Sequence, residues 1–242
     1  LAIVTVVVCM FFAAISGSGP ATVAAVGGMV VPTMLEKGYD RKFVLALIAA
    51  AGSIGVIIPP SIPMVIYGVT TNSSVSSLFL AGFMPGILIG LVLIGYSYFY
   101  AKKNGYKGDT EPFSWKRALH ELKEGFWAIL SPVIILGGIY GGIFTPTEAA
   151  AVSVIYSLIV GCFIYKELDL KKLLNVTRNA CETTASILIV IGCAAGFSKV
   201  LTLGRIPTTV AAGMLSLTDS AILILLLINI LLLIVGCFME TL

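Results

Sequence analysis

Long apolar blocks separated by short polar interruptions run through the whole chain. Leu1 to Ile15 is apolar, Ser16-Gly17-Ser18-Gly19-Pro20 breaks it, and Ala21 to Leu35 is apolar again. Phe43 to Gly68 follows, interrupted by Pro59, Pro60 and Pro63. Leu78 to Tyr100 is an unbroken spanning candidate; Phe126 to Phe144, Ala149 to Tyr165, Thr183 to Leu201 and Ala221 to Phe238 complete the series. A helix crosses the hydrocarbon layer with ~20 residues, so blocks of this length predict an all-α polytopic membrane protein.

The first two blocks depart from that pattern. Between Pro20 and Glu36 lie only about 15 apolar residues, with two adjacent glycines and Pro32 among them. That is short for a crossing, and residues 1–35 are expected to form a re-entrant hairpin that enters and leaves by one face. Residues 43–68 are expected to form a broken transmembrane helix, and 78–100 a plain one. Trp115, Ala118, Leu119, Leu122 and Phe126 share a helix face opposite Lys116, Arg117, His120, Glu121, Lys123 and Glu124. Leu170, Leu173, Leu174 and Cys181 repeat this more weakly. Residues 113–201 therefore read as amphipathic interfacial helices alternating with spans. These helices either touch lipid headgroups or brace two moving bodies.

Composition makes a soluble fold untenable. Of 242 residues, 58% are hydrophobic and 11% charged, against about a quarter charged in ordinary soluble domains. A net charge of +3 is small and is not gathered into one basic stripe along the chain, which argues against nucleic acid as a partner. The five cysteines are single, without a CxxC pair, and the lone His120 cannot supply a multi-histidine metal site. The chain opens at Leu1 without a basic region before it, which argues against a signal peptide, and it reads as a piece of a longer protein. Thirteen of the fifteen basic residues fall on alternate loops, which the positive-inside rule assigns to the cytoplasm.

Two interruptions carry the candidate chemistry. Proline lacks an N–H, so in a continuous helix Pro20 would strip the Ser16 carbonyl of its partner. Gly17 and Gly19 add backbone freedom, and Ser16, Ser18 and Thr22 add hydroxyl oxygens. In the second break, Pro59, Pro60 and Pro63 would free the carbonyls of Gly55, Val56 and Pro59, flanked by the hydroxyls of Ser53 and Ser61. Oxygen donors of this kind at membrane depth suit a hard cation such as sodium. A tight surface loop and a structural proline kink are the plainer alternatives. Among the acidic residues, Glu240 stands out, because buried acids in membranes are usually functional. The interval from Thr5 to Ile15-Ser16 recurs from Asn229 to Met239-Glu240, a weak sign of an internal repeat. No GxSxG, HExxH, Walker or GxGxxG pattern is present, so an enzyme using Ser16 or Ser18 lacks a base.

The runs ISGSGPATVAAVGG (Ile15 to Gly28), IGVIIPPSIPMVIYG (Ile54 to Gly68) and GGIFTPTEAAAV (Gly141 to Val152) resemble the large membrane subunit of tripartite ATP-independent periplasmic (TRAP) transporters, and GCFMET (Gly236 to Thr241) resembles the approach to its second hairpin. The resemblance implies an inverted-repeat, elevator-type secondary transporter of the bacterial inner membrane. It would be driven by sodium as coupling ion, with no other cofactor, and would carry organic anions such as dicarboxylates or sialic acid. It further implies a small four-helix membrane subunit and a soluble periplasmic binding protein as partners. Ile15 to Thr22 would be the tip of the first hairpin and Ser53 to Ser61 the break beside it, together forming one sodium site within a transport domain. Trp115 to Phe126 would be an arm helix of the scaffold. Residues 206–242 would hold a short helix and the first limb of a second hairpin, with Glu240 and Thr241 near its tip. An ion or solute channel, another ion-coupled carrier without a binding-protein partner, and a purely structural membrane scaffold are the rivals.

Overall fold

The computed structural model describes residues 1–106, 114–218 and 220–238, and these are helical with no strand among them. The chain divides into two compact units, Leu1–Glu167 and Leu168–Leu242.

The first unit begins with a helical hairpin, α1 (Ala2–Ser16) and α2 (Gly19–Glu36). At about 1.5 Å per residue, the 15 residues of α1 reach about 22 Å and the 18 of α2 about 27 Å, both short of a ~30 Å hydrocarbon layer. Asp40 then caps α3 (Arg41–Gly52) by accepting a hydrogen bond from the Phe43 N–H at 3.0 Å. The chain tightens into a 3₁₀ turn (Ser53–Val56), leaves helical geometry through a cis Pro59–Pro60 bond, and resumes as α4 (Ile62–Thr71). Next come α5 (Val75–Lys103), α6 (Trp115–Tyr140) and α7 (Pro146–Ile159), whose last turn runs on as a π-helical segment, Val160–Ile164.

One core joins α1, α2, α3 and the break. Val6, Cys9, Ala13, Val26, Met34, Val44, Leu47, Ala51 and Ile54 are all buried together, with Ile89, Leu93 and Ile94 of α5 packed against them. Its charged end is closed by stacked rings, Tyr39 on Tyr106 at 4.2 Å and Phe43 on Tyr100 at 3.9 Å. The Asp40 N–H also donates to the Tyr106 hydroxyl at 3.0 Å. These contacts fix the α2–α3 loop to the end of α5. A smaller cluster of Phe79, Ile139 and Ala149 ties α5 to α6 and α7.

The second unit holds α8 (Leu170–Leu203), α9 (Ile206–Leu217) and α10 (Ala221–Phe238). None of the 34 residues of α8 is buried.

Among the described residues, four helices are long and apolar enough to cross a membrane: Val75–Lys103, Trp115–Tyr140, Pro146–Ile164 and Leu170–Leu203. The amphipathic stretch at Trp115 and the span after it are one helix rather than two elements, and so are the stretch at Leu170 and the span at Thr183. Neither junction carries a strong breaker. Good helix formers such as Ala118, Leu119, Leu122 and Lys123 carry the ladder through Gly125.

Candidate functional site

The two interruptions meet. The hairpin turn is narrower than the sequence suggests, because only Gly17 and Ser18 leave helical geometry. Gly17 ends α1 in the left-handed region (φ 61°, ψ 13°), a conformation that glycine adopts without penalty, and its N–H donates to the Ala13 carbonyl at 3.0 Å. Ser18 is extended (φ −136°) and caps α2. Pro20 lies in the first turn of α2, where its missing N–H has no partner to lose, and it is exposed. The expectation that Pro20 interrupts a ladder and frees the Ser16 carbonyl is therefore corrected: the left-handed glycine makes the break, and the proline starts the next helix.

The second break is corrected in the same way. Helix α3 has already left α geometry at Ser53, and Pro63 sits in the first turn of α4, so neither Pro59, Pro60 nor Pro63 cuts a continuous helix. The Val56 carbonyl is not free, for the Ser61 hydroxyl donates to it at 2.7 Å. Ser61 is 1% exposed, and Pro59 is equally enclosed. The Ser53 hydroxyl donates back to the Ala50 carbonyl at 2.8 Å and is exposed, so its side chain does not join the meeting point.

Glycines let the breaks touch. A Cβ at Gly17 would lie 2.6 Å from the Pro60 carbonyl oxygen, and one at Gly55 would lie 2.7 Å from both the Ser18 carbonyl oxygen and the Thr22 Oγ1. Gly19 rests against the Gly52 carbonyl and Val56. One conventional bond stitches the pair, the Ile62 N–H donating to the Gly17 carbonyl at 3.2 Å. Thr22, fully buried, donates from Oγ1 to the Ser18 carbonyl at 2.8 Å, and the Ser16 hydroxyl lies 3.0 Å from the same Oγ1. The oxygens at the junction are the carbonyls of Ser18 and Pro60 and the hydroxyls of Ser16 and Thr22, and the Ser18 carbonyl already accepts from the Thr22 N–H at 3.1 Å as well as from its hydroxyl. All are neutral oxygens, and among the described residues no group of three His, Cys, Asp or Glu side chains is placed to hold a metal. Such a donor set matches a monovalent hard cation better than a divalent one, which draws carboxylates.

Sequence reasoning did not foresee Gly52, Ile62 or the face of α5. Three of the five residues 59–63 are prolines, so Ser61 and Ile62 keep the only amide donors there, a signal that was readable. Gly82, Gly86 and Gly90 recur every fourth residue along α5, and they meet Met64 and the Ile57 carbonyl, Ile58, and Met10 respectively. That stripe backs the break and the hairpin at once. Glu240 and Thr241 lie outside the described residues, as does Asp219. Of the other acids, Glu148 closes a capping box with Thr145: the Thr145 N–H donates to its Oε2 at 2.8 Å, and the Glu148 N–H to the Thr145 Oγ1 at 3.3 Å. Glu182 accepts from Arg178 Nε at 2.8 Å on an exposed helix face.

Helices throughout the described residues, four of them of membrane-crossing length, and two discontinuous elements joined at their breaks define a multi-pass membrane protein. Over residues 1–242 the chain matches the family model of the tripartite ATP-independent periplasmic transporter, DctM component, and it belongs to that family. It is 50% identical over 242 residues to the isethionate TRAP transporter permease protein DctMQ of Oleidesulfovibrio alaskensis, covering 100% of this chain and 38% of that protein. It is 44% identical to the C4-dicarboxylate TRAP transporter large permease protein DctM of Vibrio cholerae, covering 99% of this chain and 57% of that one. The sialic acid TRAP transporter large permease protein SiaM of the same organism is 39% identical, with coverage of 99% and 56%. The chain spans between 38% and 57% of the length of these relatives.

Proposed function

We propose that this chain is the part of a TRAP permease that couples sodium to the inward movement of a small organic anion across the bacterial inner membrane. The observation that carries the reading is the contact between the two breaks, where Gly17 meets Pro60 and Gly55 meets Ser18 and Thr22. Paired interruptions of this kind are where secondary transporters bind ions and substrate. A sodium ion held by the Pro60 carbonyl and the Ser16 and Thr22 hydroxyls, and by the Ser18 carbonyl once the Thr22 hydroxyl turns from it, would order the hairpin tip against the broken helix. The residues in these roles are Ser16, Gly17, Ser18, Gly19, Thr22, Gly55, Pro60 and Ser61. The shared core of α1, α2, α3 and the break supports their sliding as one body, as an elevator requires. Relatives named for isethionate, C4-dicarboxylates and sialic acid support an anionic cargo, which in this reading is delivered by a soluble periplasmic binding protein. A small membrane subunit completes the scaffold, whether as a separate or a fused chain. Nothing in this reading calls for an enzyme.

The test is uptake by the complete permease in proteoliposomes, with its binding protein and small subunit, under a sodium gradient. Uptake should follow external sodium and ignore potassium, and Thr22→Val should weaken the sodium response more than maximal uptake. Uptake that ignores sodium, or currents at channel rates without the binding protein, would refute the reading.

A further inference from the structure

The first three turns of α6 carry two features that the proposed transport does not use. Trp115, Leu119, Leu122 and Phe126 are exposed by 74%, 60%, 53% and 49% along one stripe, at spacings that keep them on a single face. Lys116, His120 and Lys123, spaced i, i+4, i+7, form a second stripe. At about 100° per residue, this cationic stripe borders the apolar one on the Leu119 side, Glu124 flanks its other side about 40° beyond His120, and Glu121 lies farther round. Lys116, Arg117, His120 and Lys123 line one shallow groove together with Ser114 and Leu119. His120 also pairs with Glu124 at 3.3 Å, across the helix surface from the apolar stripe.

The helix sets the depth of this groove. α6 runs without interruption from Trp115 to Tyr140 and holds a membrane-length apolar window. A crossing takes ~20 residues, so counted back from Tyr140 the hydrocarbon edge falls near Glu121. His120 then lies about 2 Å and Lys116 about 8 Å beyond it, where headgroup phosphates sit, and Lys123 about 3 Å inside it, within snorkelling reach. Two hydroxyl bonds steady this portion: the Tyr165 hydroxyl donates to the Glu124 carbonyl and the Tyr156 hydroxyl to the Trp127 carbonyl, both at 2.7 Å. They hold the start of α6 at a fixed height relative to α7, with the cationic stripe spread over about 10 Å of axis.

We propose that this face is a docking site for an anionic phospholipid, whose phosphate contacts Lys116, His120 and Lys123 while Leu119, Leu122 and Phe126 rest on its upper acyl chain. Charge complementarity selects the anionic headgroup over a zwitterionic one, since each lysine near the surface adds about five-fold in preference. The adjoining apolar stripe selects a lipid over a free phosphate, because it stays exposed when only an inorganic ion is bound. The inference rests on α6 crossing the membrane and is independent of the cargo and of sodium.

The experiment places the complete permease in vesicles of phosphatidylethanolamine with and without phosphatidylglycerol, then counts retained lipids by native mass spectrometry. Phosphatidylglycerol should be enriched on the native protein, and K116Q/K123Q should lower that enrichment about five-fold per lysine. K116R/K123R should keep it, which separates charge from folding. Brominated phosphatidylglycerol should quench the indole of Phe126→Trp, in a Trp115→Phe/Trp127→Phe background, more than brominated phosphatidylethanolamine does. Equal retention of the two lipids, unchanged enrichment in K116Q/K123Q, or displacement of the lipid by inorganic phosphate would overturn the proposal.

Discussion

The glycines at the two breaks and along one face of α5 serve a different end from those of α8 to α10. In Leu1–Glu167, a Cβ at Gly17, Gly55, Gly82, Gly86 or Gly90 would strike backbone or side chains of a neighbouring segment. In Leu168–Leu242, Gly192, Gly196, Gly213 and Gly236 have nothing within 4 Å. Burial follows the same division, with five buried residues in each of α1 and α2 and none in α8. The lesson concerns where shape comes from. α1 to α5 hold one another at close range through missing side chains, and the breaks can meet only because glycine lets carbonyls approach. The apolar surface of α8 finds no such partners within its unit.

The largest test of that contrast is Gly55→Val. Its side chain would enter the space of the Ser18 carbonyl and the Thr22 hydroxyl, backbone and buried polar atoms that cannot retreat. A loss of about 3 kcal/mol or more is expected, read as a lowered thermal midpoint of the purified permease. Gly17→Ala adds about 1 kcal/mol for the left-handed backbone to its clash with Pro60, and should rank beside it. Ser61→Ala comes next. It leaves the Val56 carbonyl without its buried donor and should cost about 1–2 kcal/mol. Thr145→Ala opens the capping box of α7 for about 1 kcal/mol and should leave the sodium response untouched. At the other end, Gly192→Ala in α8 should be neutral or stabilising by up to about 1 kcal/mol, since it meets nothing and favours helix. A destabilised Gly192→Ala would break the contrast and point to a tight helix contact on α8.

Much of this was legible in the residues. Block lengths and the sparse charge placed the chain in a membrane, and the Ser16–Pro20 and Pro59–Pro63 punctuation located both interruptions. What was misread was how each break is made. The sequence suggests that proline cuts the helices, yet Pro20 and Pro63 begin helices, and the left-handed Gly17 and the 3₁₀ turn at Ser53 end them. The reason is general: a missing N–H costs nothing in a first turn, and sequence alone does not tell a first turn from an interior one. Pairing was less visible still. That Gly55 faces Ser18, or that Gly82, Gly86 and Gly90 back the break, depends on contacts between segments far apart in the chain. The α6 and α8 boundaries were placed at a change of polarity, whereas a helix ends only where its backbone is interrupted.

The most direct measurement is sodium affinity of the complete permease, native against Thr22→Val and Ser16→Ala, with Gly192→Ala as a control outside the junction. The native protein and the control should bind sodium alike and be stabilised by it but not by potassium, and each junction variant should bind at least several-fold more weakly. Sodium binding unchanged by both junction variants would place the ion elsewhere and contradict the claim that the two breaks meet to hold it.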